Sequence, residues 1–163
     1  VANWGAAGKM LDMADLWTDT KDDIIAASAA VEAACRNADG AYYEYPLCMT
    51  THCMVINRQY FEQADALQYI DEETHTWTTE GFINACKALQ AAGYIPAVVY
   101  CGGQGGDQGT RALVTNLYSG QFTNAEHTAY TMDSEANIQA LTQLQSMVNE
   151  GALTAVPGIG AGI

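Results

Sequence analysis

The densest group of residues that could do chemistry is Cys101-Gly-Gly-Gln-Gly-Gly-Asp-Gln-Gly109, with five glycines between positions 102 and 109. Glycine lets backbone N–H groups approach a ligand closely, so a phosphate cradle is the first chemistry to weigh. The sequence argues against it. GGQGGDQGTR has no GxxxxGK[ST] pattern, and Gly103, Gly105 and Gly106 have the wrong spacing for GxGxxG. Asp107 would repel a pyrophosphate. Two readings stay open: a plain flexible loop, or a loop for a polar ligand. In the second, Gly102 and Gly103 give close backbone approach, while Gln104, Asp107 and Gln108 exchange hydrogen bonds with hydroxyls. Tyr100 immediately precedes the loop. Its ring is a suitable surface for the apolar CH faces of a sugar.

The remaining reactive side chains make weaker cases. His52, His75 and His127 have no Cys or carboxylate at a metal-ligand spacing. His52 and Cys53 are adjacent, and neighbours in a strand point to opposite faces, so they do not form a nucleophile–base pair. His75 and His127 read as exposed loop residues. The five cysteines, Cys35, Cys48, Cys53, Cys86 and Cys101, cannot all pair within the chain and contain no CxxC. They read as buried thiols acting as small hydrophobes, with one disulfide as the alternative. In an exported protein, free thiols would suit a reducing habitat. No enzyme, metal site or cofactor is expected from these residues.

The elements that position these groups follow from periodicity and caps. GKMLDMADLW, from Gly8, reads as a helix end, a turn and an apolar anchor at Leu16. Asp22 to Ala38 reads as a helix with Ile24, Ala27, Ser28, Val31, Ala34, Cys35 and Ala38 at helical spacing, closed by a turn at Asn37–Gly40. Residues 41–47 read as extended and aromatic, and 48–56 as strand-compatible. Asn57 to Gln63 reads as a short helix. Thr78 or Thr79 caps a helix over 79–91 that Gly93 ends. Ile95 to Tyr100 reads as a buried parallel strand, and Thr110 to Tyr118 as a helix. Between these, 119–133 reads as loop, with a short extended piece at Tyr130 and Met132. Ser134 caps a helix to Glu150 whose apolar stripe is Ile138, Leu141, Leu144 and Val148. The alternation predicts an α/β fold, a mostly parallel sheet flanked by helices.

Composition limits the partners. The 163 residues are 49% hydrophobic and 15% charged, with a net charge of −13. That sign disfavours nucleic acid and anionic membrane surfaces and is easiest to reconcile with a neutral ligand. No apolar run reaches the roughly 18–20 residues that span a bilayer, so no direct membrane insertion is expected. Val1 and the closing Gly158–Ile163 read as cuts in a longer protein.

Four pieces, in order, carry a resemblance: AAGKMLDMADLW, YYEYPLCMTTHCMVINRQYF, THTWTTEGFINACKAL and ANIQALTQLQSMVNEGAL. Together they resemble the middle of an extracellular solute-binding protein of an ABC importer, of the maltose-binding-protein-like family 1. Ile56-Asn57 stands where that family has Tyr-Asn. The resemblance implies a periplasmic-binding-protein-like fold of two lobes with the solute between them. Residues 1–47 would end the first lobe, 48–54 would be a crossover or hinge strand, and 55–163 most of the second lobe. Met49, Thr50 and Thr51 would line the hinge side, although Thr50 and Thr51 also read as ordinary strand residues. The crossover offers Thr50 and no carboxylate, which departs from many members. The 102–109 loop would match the family's ligand-contacting loop. The implied function is carbohydrate binding and delivery to ABC permease transmembrane subunits by closure of the cleft. The implied location is extracellular, as a lipoprotein on the cell surface, or periplasmic. Alternatives are a surface adhesion or interaction module on the same fold, and an α/β enzyme.

Overall fold

The computed structural model describes residues 2–48, 52–101, 108–126 and 128–156. The chain divides into two compact units, 1–51 and 52–163.

The first unit holds three helices: α1 (Ala2–Ala6), α2 (Ala14–Thr18) and α3 (Lys21–Cys35). Its anchor is Trp17, 2% exposed, rather than its neighbour Leu16, which is 52% exposed. Trp17 stacks on Tyr42 at 4.4 Å between ring centroids and meets Tyr45 edge-on at 5.6 Å. Its indole N–H donates to the Glu44 carbonyl at 2.9 Å. These rings do the work that the sequence pattern assigned to an alanine-rich stripe. Alanine offers little area to bury, so α3 presents no apolar face. Its one buried residue is Glu32, and Ser28 (φ −165°, ψ 107°) interrupts the helix. Glu32 accepts from the Tyr42 hydroxyl and sits 3.3 Å from Arg36 Nε and 3.7 Å from Lys21 Nζ. The expected turn follows α3, with Gly40 N–H donating to the Asn37 carbonyl.

The second unit is α/β. It contains α4 (Arg58–Gln63), a 3₁₀ turn at Leu67–Tyr69, α5 (Thr79–Ala91), β1 (Val98–Tyr100), α6 (Gln108–Leu117), α7 (Glu135–Asn149) and β2 (Thr154–Val156). The helix starts are set by side-chain oxygens. Asn57, Thr78 and Ser134 accept from the backbone N–H groups of Tyr60, Gly81 and Asn137. Such caps are each worth about 1 kcal/mol. The helix ends are set by left-handed residues. Gly93 (φ 84°) and Gly151 (φ 76°) let Tyr94 N–H reach the Leu89 carbonyl and Ala152 N–H reach that of Met147. This Schellman closure places each following apolar residue back on the helix it leaves.

β1 and β2 pair in parallel, with Val98 opposite Thr154 and Tyr100 opposite Val156. Phe82, Cys86, Val99, Val114, Leu117, Leu144, Met147 and Leu153 form the main core around them. Full burial of Phe82 or Met147 contributes roughly 1.5–3 kcal/mol. A second cluster joins Phe61, Ala66, Ala85 and Leu89. Trp77 packs against both clusters, its ring 6.3 Å from Phe61 and 5.4 Å from Phe82.

Two expectations are corrected here. The strand expected over 95–100 is shorter and covered on one side only, since Val99 is buried while Val98 and Ile95 are exposed. The buried face of α7 is Asn137, Ala140, Leu144 and Met147, and Ile138 and Leu141 are 54% and 55% exposed. Small Ala140 permits close packing there, and that criterion differs from hydrophobicity. Of the expected crossover segment, Cys48 and 52–54 are described, and they are irregular chain. Residues 49–51 lie outside the described residues.

Candidate functional site

Among the expected ligand residues, Tyr100 and Gln108 are described. Met49, Thr50, Thr51, Gly102, Gly103, Gln104 and Asp107 lie outside the described residues, as does His127. Gln108 is the exposed first residue of α6. Tyr100 ends β1, where its backbone N–H donates to Thr110 Oγ1 at 3.1 Å. That bond ties the carboxyl end of the strand to the first turn of α6. In an open α/β arrangement this is the end at which ligands bind.

A cleft of about 850 Å³ runs along β1 and the residues before it, from Pro96 to Tyr100. Its walls are the segment 52–56, the loop and cap leading into α5, α5 itself, β1 and α6. The volume is within the about 300–1,000 Å³ typical of small-molecule sites. The inner wall includes Trp77, Phe82, Val99 and Leu117, and the polar lining includes His52, Thr76, Thr110 and Asn116. None of the described lining residues is Asp, Glu, Lys or Arg, although the chain carries a net charge of −13. Thr79 Oγ1 donates to the Leu117 carbonyl, holding the start of α5 against the end of α6.

The Tyr100 hydroxyl is buried and has no hydrogen-bond partner among the described residues. Leaving a buried polar group unpaired costs about 1–3 kcal/mol.

The thiols do not behave as a group. Cys86 is buried in the main core, and burial pushes its thiol up to about 12. Cys48, Cys53 and Cys101 are exposed, which corrects the expectation of buried thiols for those three. Each lies in irregular chain with no core to enter. Among the described residues no group of three or more His, Cys, Asp or Glu could hold a metal ion. Nor is any described helix long and apolar enough to cross a membrane.

Sequence reasoning missed the part His52 and Trp77 play. His52 gave no ligand spacing, and Trp77 stands out only within the piece THTWTTEGFINACKAL. Both line the cleft, and Trp77 is an anchor as well. His75 is exposed, with a left-handed backbone (φ 54°), and also lines the cleft. The usable signal was the position of Trp77 just before a helix cap, which places its ring near both Phe61 and Phe82.

Comparison with protein-family models, with curated proteins and with solved structures finds no match.

Proposed function

We propose that this chain is part of the extracellular solute-binding component of an ABC importer. It takes a neutral carbohydrate and hands it to the permease's transmembrane subunits, without chemistry. On this reading 1–47 ends the first lobe, 48–54 is the crossover, and 55–163 makes most of a periplasmic-binding-protein-like second lobe. The protein works outside the cell, lipid-anchored or periplasmic.

The observation that carries the reading is a cleft along β1 whose described lining holds no Asp, Glu, Lys or Arg, in a strongly acidic chain. A charged solute held there would need a counter-charge to offset its lost hydration. A neutral one needs only hydroxyl, amide and imidazole partners, with ring faces for its apolar patches. The order of the four sequence motifs supports the same assignment.

Calorimetric titration of the complete protein with mono- and oligosaccharides tests the proposal. Saturable heat with at least one sugar is expected. Silence across the sugars together with a response to an amino acid or a metal ion would overturn it.

A further inference from the structure

The start of α7 carries apolar side chains that the fold leaves uncovered. Ile138 and Leu141 are 54% and 55% exposed, and Tyr130 and Met132, in the chain entering the helix, are 83% and 58% exposed. Apolar residues scattered singly over a surface need no explanation, but a group of them does. These are grouped for local reasons. Residues three apart on a helix are neighbours, so Ile138 and Leu141 share a face. Ser134 is the N-cap, which makes Ile138 the fourth helical residue. In a hydrophobic staple that position faces the chain entering the helix. Ser134 N–H donates to the Thr131 carbonyl at 3.1 Å, and this turn keeps Met132 beside the helix start. Asn137 Nδ2, bonded to the Gln121 and Thr131 carbonyls, holds the entering chain in place.

Charge says what can cover this face. From 112 to 163 the sequence has no Lys or Arg, and Asp133 and Glu135 beside the patch are both exposed. A second copy would bring another net charge of −13 of the same sign, which opposes self-association. An anionic membrane is opposed in the same way. A complementary partner presents apolar side chains flanked by cations. The exposed residues stand at helical spacing on a helix, so the matching shape is a second helix laid along it.

We propose that the start of α7 docks a basic amphipathic helix of a partner protein, with Met132, Ile138 and Leu141 at the apolar centre and Asp133 and Glu135 at the rim. The face is small, so the contact is weak and exchanges quickly. None of these residues lines the cleft, and the inference does not rest on the importer reading.

The test uses the full chain and two labelled probes read by fluorescence anisotropy, an amphipathic leucine–lysine peptide and its leucine–glutamate counterpart. The lysine peptide should bind and the glutamate peptide should not. The double variant Ile138→Gln/Leu141→Gln should weaken binding at least about tenfold, through lost burial of two aliphatic side chains. Ile95→Gln, at an apolar residue 62% exposed before β1, should leave it unchanged. Asp133→Asn/Glu135→Gln should weaken it about two- to fivefold, an effect that vanishes at high salt. Protection of Cys86 from alkylation reports that each variant is folded. Should the double variant unfold, Leu141→Lys, which sets a like charge in the path of the peptide, should give the loss instead. No binding of the lysine peptide, equal binding of both peptides, or a loss in Ile95→Gln as large as in the double variant would overturn the inference. So would a wild-type dimer in sedimentation velocity that the double variant abolishes, since a second copy would then own the face.

Discussion

Replacing Gly120 with alanine should destabilise the second unit by roughly 2–4 kcal/mol, through one identifiable collision. A Cβ at this position would stand 2.0 Å from Asn137 Oδ1 and 2.9 Å from its Cγ. Ordinary contacts lie at about 3.5–4 Å. Asn137 is 2% exposed, so its side chain has nowhere to retreat without breaking its bonds. Its Nδ2 donates to the carbonyls of Gln121 at 2.8 Å and Thr131 at 3.2 Å. Those two bonds hold the 119–133 loop against the start of α7. Each is worth about 1 kcal/mol net, and the unpaired groups left behind add a penalty of similar size. The Asn137 Oδ1 atom has no hydrogen-bond partner among the described residues. The assay is urea unfolding read by labelling of Cys86, a core thiol that reports on the second unit alone. Gly120→Ala should lower the midpoint with an unchanged slope. In an Asn137→Ala background the same substitution should cost less than about 0.5 kcal/mol, since its obstacle is gone. A full cost in both backgrounds would refute the reasoning, as would a loss below about 0.5 kcal/mol in the wild type.

Two further outcomes follow from the side-chain environments. At about pH 8, Cys48, Cys53 and Cys101 should alkylate rapidly and Cys86 only on opening of the second unit. Peptide mass spectrometry checks this, and early modification of Cys86 would contradict its burial. In the first unit, the Tyr42 hydroxyl, and then Arg36 and Lys21, hold the Glu32 carboxyl below its ordinary value of 4.5 against an opposing effect of burial. The folded state therefore binds that proton less readily than the unfolded chain. The contribution is intact above about pH 4.5 and is lost as pH falls below it. Glu32→Gln should flatten the pH dependence of Trp17 fluorescence unfolding in that acid range, and an unchanged slope would argue against the network.

The local parts of the fold were legible in the sequence because their causes are local. Asn57, Thr78 and Ser134 announce helix starts by chemistry that acts within three residues, and Gly93 and Gly151 announce ends in the same way. What depended on distant neighbours was not legible. β2 lies in a short stretch, Thr154–Val156, whose strand character comes from pairing with β1. The face of α7 was misread because Asn137 is buried for its two hydrogen bonds and Ala140 for its small size, while Ile138 and Leu141 stay outside. Tyr100 drew attention from its place before the glycine loop, and it lines the cleft. The cleft itself was not legible, because His52, Trp77 and Asn116 meet only through the packing of separate elements.

The pairing of β1 with β2 also bears on how the protein is made. The two strands meet across the whole span that contains α6 and α7. Closing so long a span has an entropic cost that local helix closures avoid. During synthesis α5 can form as soon as it leaves the ribosome, but β1 waits for a partner that emerges last of all the described elements. β1 also forms one wall of the cleft. A chain ending before Thr154 lacks the strand that pairs with this wall of the cleft.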